Sequence, residues 1–128
     1  MARRDRLQAV LRVRRVQEDV ERARVAAASA DEARAAAAVE TRTERLRSGP
    51  TDRTLVELGW LALDRARFDR ASAGAVLDAR RAEWAVAAQR VKGLERLVER
   101  RAEETKRDEA RRALVLADDL VTARRAER

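Results

Sequence analysis

Histidine and cysteine are both absent from this 128-residue chain, which removes Cys/His zinc sites, thiol nucleophiles, disulfides and imidazole acid/base chemistry together. What remains for such chemistry are carboxylates, among them adjacent acids such as Glu103-Glu104 and Asp118-Asp119. Neighbours on a helix project about 100° apart, so neither pair can close on one metal or bracket one substrate. Gly49, Gly59, Gly74 and Gly93 stand singly, and none opens a helix after a strand as a phosphate-binding loop requires. We therefore expect no enzyme, no metal and no cofactor. A chain of this kind works through its surface.

The elements that shape this surface are helices. Charged residues make up 41% of the chain and aromatics only 2%. Ala, Arg, Glu and Leu dominate, which is the composition of a long helix or coiled coil. The stretch Glu99 to Arg112 has no large apolar residue and no helix breaker, so it reads as helix with no core to face. We expect one elongated all-α unit over residues 1–128, too short and too polar to enclose a large core. No apolar run approaches the ~20 residues of a membrane span, and Met1 to Arg6 lead into an amphipathic helix rather than a signal sequence. The expected location is the cytoplasm.

Ser48-Gly49-Pro50-Thr51-Asp52 is the strongest punctuation in the chain. Gly can take the left-handed position after a helix, and Pro cannot continue one. Thr51, Asp52 and Thr54 are candidate N-caps for the second helix, and Thr54 with Glu57 fits the Ser/Thr-x-x-Glu pattern. The expected layout is a helix over about 5–47, a bend at 48–52 and a longer helix over about 53–124. Gly59 and Gly74 are where the second helix would break.

Short connections imply antiparallel neighbours, so the fold class is an elongated antiparallel two-helix coiled-coil hairpin. In the second helix Leu77, Trp84, Val91 and Val98 recur every seven residues, with Ala73, Ala87 and Leu94 in the complementary position and Arg80 and Arg101 as interruptions. In the first, Ala9, Val13, Val16, Val20, Ala23, Ala27 and Ala30 keep three-four spacing and form the expected seam. With the bend at Gly49-Pro50, residue i faces about 100 minus i, and the second helix loses its partner beyond about Val98. A hairpin that covers its own seam is expected to be a monomer in isolation. Leu114, Val115, Leu116, Leu120 and Val121 form a second apolar patch on the overhang, where a lone helix leaves it wet.

The formal charge of +7 raises nucleic acid as a partner, but six arginines among residues 1–15, against Asp5 alone, supply most of it. Elsewhere opposite charges sit one turn apart, as in Glu18/Arg22 and Asp108/Arg112, which marks solvated helix face. Aromatic stacking residues for single strands are missing. A basic coiled-coil nucleic-acid binder and a generic structural coiled coil are the alternative readings.

Arg6-Leu7-Gln8-Ala9-Val10-Leu11-Arg12-Val13-Arg14-Arg15-Val16-Gln17-Glu18 resembles the N-terminus of the flagellar export protein FliJ family. Arg90-Val91-Lys92-Gly93-Leu94-Glu95-Arg96-Leu97-Val98-Glu99-Arg100-Arg101 resembles a second block of that family, and Asp118-Asp119 with Arg124-Arg125 resembles its C-terminal pattern. Ala113 to Ala117 depart from the family's polar approach to this Asp. The resemblance implies a small antiparallel coiled coil, similar to the rotor stalk of rotary ATPases, in flagellar type III protein export. The implied partners are the hexameric export ATPase, the export gate and export chaperones. For a stalk whose open end enters the ring, the candidate ATPase contacts are Arg3, Arg4, Leu7, Leu11, Arg14, Arg15, Arg100, Arg101, Arg107 and Arg111. Trp60 and Phe68, nearer the bend, are the candidate gate contacts.

Overall fold

The computed structural model describes residues 2–49 and 51–127, and these form two helices, α1 (Ala2–Ser48) and α2 (Arg53–Ala126). At 1.5 Å per residue their 47 and 74 residues span about 70 and 110 Å. The cross-helix partners Arg15/Glu95, Glu18/Trp84, Glu32/Arg70 and Leu46/Gly59 run in opposite directions along the two elements, so the helices are antiparallel. The architecture is the expected all-α hairpin. The partner sums of these pairs lie above 100, so the register is offset by a few residues from the expected one.

Helix α2 is continuous through Gly59 and Gly74, its two weak points, over Arg53–Ala126. Long runs of Leu, Ala, Arg and Glu on either side carry the helix through each single glycine at a cost of about 1 kcal/mol. At Gly59 the missing side chain has a use. An added Cβ would stand 2.7 Å from Leu46 Cδ2, so the glycine lets the two helices approach closely near the tip.

At the tip itself Pro50, part of the expected bend, lies outside the described residues. Gly49 does not adopt a left-handed φ. Its requirement is steric, since a Cβ would meet the Arg45 carbonyl oxygen at 2.0 Å. Asp52 is the N-cap of α2: its carboxylate accepts from the Thr54 backbone N–H at 3.3 Å, and its carbonyl accepts from Val56 at 3.0 Å. The Thr54/Glu57 capping pair does not form, because Glu57 accepts from Arg53 one turn back.

The α2 side of the seam is the one the spacing predicts. Leu77 and Val91 are buried, and Ala73, Trp84, Ala87, Leu94 and Val98 are half-buried. Leu63, at 1% exposure the most enclosed residue, and Ala66 extend the line towards the tip.

The α1 side is a different stripe from the expected one. Ala9, Val13, Val16, Val20, Ala23, Ala27 and Ala30 are all exposed, Val16 at 62%. The residues that face α2 are Leu7, Leu11, Val25, Ala28, Ala35, Val39 and Leu46, interleaved with Arg14, Glu18, Glu21 and Glu32. Val16 stands about 140° around the helix from Leu11. The reason is size and pairing. This face holds every leucine of α1, each worth about 1.5–3 kcal/mol when fully buried. Its polar residues also find partners: Glu18 accepts from Trp84 Nε1 at 3.3 Å, and Glu32 lies 3.7 Å from Arg70 Nε. Glu21 pays for its place, with Oε2 buried and unpartnered while Oε1 accepts from Arg24.

Candidate functional site

The candidate site lies on the surface that the two helices leave uncovered and shape with charge. Among the described residues no cluster of acids could hold a metal ion. The open pole of the hairpin comes first. Arg3, Arg4 and Leu7 of α1 share a shallow hollow with Val98, Arg101 and Thr105 of α2. Helix α1 therefore reaches beyond Val98, where the overhang was expected to start, and Ala102 is the last residue of α2 that is not fully exposed.

The candidate ATPase contacts fall into two groups. Arg3, Arg4, Arg100, Arg101, Arg107 and Arg111 are exposed and lie at or beyond this pole. Arg111 reaches Asp108 at 3.5 Å, a solvent-exposed pair of small energetic weight. The others are occupied by the hairpin itself. Leu11 is 5% exposed and belongs to the core, so it offers no surface to a partner. Leu7 is half-buried beside it. Arg14 is half-buried and donates to Gln17 Oε1 at 3.0 Å, while Arg15 crosses to Glu95 at 3.3 Å. Arg15 thus bridges the two helices through an exposed ion pair of small energetic weight, whereas Arg14 bonds within α1.

The electrostatics of the pole are mixed. Between Glu99 and Arg112 six basic residues alternate with five acidic ones, and Glu104, Asp108 and Glu109 line the same hollow as Arg3 and Arg4. The local excess of positive charge comes from Arg3, Arg4 and Arg6 at the start of α1.

Beyond the pole, α2 continues as a lone helix. Leu114, Val115, Leu116, Leu120 and Val121 are 49–66% exposed, so the second apolar patch is open to solvent as the spacing predicts.

Near the tip the candidate gate residues Trp60 and Phe68 are 52% and 63% exposed. Eight residues place them about 80° apart on the helix, so they do not share one line. The Arg65 guanidinium lies 5.8 Å from the Phe68 ring centroid. Leu61, 65% exposed, lies about 20° from Phe68 on the same face, and Leu58, 55% exposed, lies about 80° from Phe68 on the side away from Trp60. The sequence reading missed these two leucines. Their three-residue spacing, with the next turn leading to Arg65 and Phe68, was the available signal.

No family model, curated protein or solved structure matches this chain. The functional reading therefore rests on its own residues.

Proposed function

We propose that this chain is a non-enzymatic, stalk-like component of flagellar type III protein export, which binds the export ATPase ring and couples it to the export gate and chaperones. The observation that carries the proposal is the surface left uncovered. A compact fold of 14.5 kDa exposes about 6,900 Å², whereas this chain exposes 10,586 Å², roughly 3,700 Å² more. A stable interface takes only about 800 Å² per partner. A rod with this excess, ending in a lone helix with an apolar patch, suits a part enclosed by larger neighbours. The resemblance of its two ends to the flagellar export family supplies the identity of those neighbours.

In this proposal the ring meets Arg3, Arg4, Arg100, Arg101, Arg107 and Arg111 together with the patch at Leu114–Val121. The gate meets the tip, where exposed Leu61 and Phe68 share a face with Leu58 and Trp60 on either side of it. The chain acts at the cytoplasmic face, peripheral to the membrane-embedded apparatus. No described helix is long and apolar enough to cross a membrane. Size-exclusion chromatography with the cognate export ATPase tests the proposal: the chain is expected to co-migrate with the ring. A chain that ignores the ATPase and binds duplex DNA at physiological salt overturns it in favour of the nucleic-acid reading.

A further inference from the structure

The exposed stripe on α1 has properties that the internal seam lacks. From Ala9 to Ala30 it keeps three-four spacing over three heptads, about 31 Å of helix, with no charged residue in the line. The internal seam of the same helix is interrupted by Arg14, Glu18, Glu21 and Glu32. The better-patterned coiled-coil face is therefore the one turned to solvent. Val13, Val16 and Val20 are 56%, 62% and 46% exposed, and the alanines that follow leave room for a second backbone.

We infer that this face of α1 pairs with the same face of a second copy of the chain, antiparallel and centred near Arg14 and Arg15. The stripe is complementary to itself in that arrangement: Val13 of one copy lies level with Val16 of the other, and Ala9 with Val20. The flanking charges agree. Arg12 and Asp19 are exposed on one edge of the stripe, seven residues apart. In a two-fold antiparallel pair equal edges meet, so Arg12 of each copy faces Asp19 of the other. Asp19 is free to do so, since Arg22 approaches it only to 3.9 Å while bonding Glu18 at 2.8 Å.

The expectation of a monomer rested on α1 covering the α2 seam of residues 77–98; Leu77 and Val91 are buried there, and the exposed Val13, Val16 and Val20 form a second stripe that this covering leaves unused. The pairing is independent of the export reading, because it uses neither the open pole nor the tip.

Sedimentation equilibrium of the purified chain tests it. A dimer with a dissociation constant in the micromolar range is expected. Val16 and Val20 border a groove that Val86 and Ala87 of α2 also line, yet they are 62% and 46% exposed, so Glu at both together should weaken the dimer at least ~100-fold while the helical circular dichroism stays unchanged. Arg12→Glu with Asp19→Arg should restore dimerisation lost in Arg12→Glu alone. A wild-type chain that remains a monomer at several hundred micromolar, roughly 100-fold above such a constant, overturns the inference. So does a dimer that survives the valine changes and is lost when Leu116 and Leu120 become Glu.

Discussion

Trp84 Nε1 donates to Glu18 Oε1 at 3.3 Å across the hairpin, and the Arg22 guanidinium bonds the same Glu18 oxygen at 2.8 Å while lying 5.9 Å from the Trp84 ring centroid. Glu18 keeps 14% of its side chain exposed, whereas Arg22 keeps 60%. The indole therefore anchors one of the carboxylates that interrupt the seam, and this fixes which α1 turn faces which α2 turn. A slip of one turn would leave the indole N–H and the carboxylate apart, each at a desolvation cost of about 1–3 kcal/mol.

The first prediction isolates this pair. Trp84→Phe keeps most of the ring and removes the donor, and Glu18→Ala removes the acceptor. Each should cost about 1 kcal/mol, allowing for partial exposure, and the double variant should cost less than their sum. Urea unfolding of the four proteins gives the coupling. Strict additivity would mean that the pair does not set the register.

The second prediction ranks the two faces of α1 and their counterparts on α2. Leu63→Ala and Leu77→Ala remove buried side chains and should each cost about 2–5 kcal/mol. Val16→Ala, on the exposed stripe, should change the stability of the hairpin by no more than ~0.5 kcal/mol when measured below the concentration at which copies pair. Thermal unfolding followed by circular dichroism checks the ranking. A loss at Val16 equal to that at Leu63 would return the valine stripe to the core.

The sequence made half of the seam legible. On α2, Leu77, Trp84, Val91 and Val98 are large apolar residues in one heptad line, so periodicity alone found them. On α1 two stripes compete. The uninterrupted Val/Ala stripe has the better pattern, yet the burial goes to the face with Leu7, Leu11 and Leu46. Those leucines fall into one heptad register with Val25 and Val39 only when Arg14, Glu18, Glu21 and Glu32 are admitted to it. A charged residue in a seam looks like an interruption until its partner across the helices is known, and Trp84 and Arg70 are those partners. The open pole was legible as a cluster of arginines, but the burial of Leu11 and the half-burial of Leu7 and Arg14 depended on the same unread register.

The third prediction concerns the glycines. Nothing stands within 4 Å of a Cβ added at Gly74 or Gly93, so Ala at either should stabilise the chain by about 1 kcal/mol through helix propensity alone. Gly49→Ala should cost about 1 kcal/mol, because the new methyl meets the Arg45 carbonyl oxygen. Melting temperatures of the three variants settle the order. A destabilised Gly74→Ala would place a break in α2 at that residue.

The central claim is that the open pole engages an export ATPase, and the hydrolysis rate of the cognate enzyme tests it most directly. The arginines to change are Arg3, Arg4, Arg100 and Arg101, which are all exposed, so that charge reversal to Glu spares the Arg14 and Arg15 contacts inside the hairpin. The wild-type chain is expected to raise the ATPase rate, and the rise should shrink as salt is added, because the charges are solvated. The fourfold variant should keep its helicity and leave the rate at its basal value. A wild-type chain without effect on the ATPase, or a fourfold variant as active as wild type, would contradict the account.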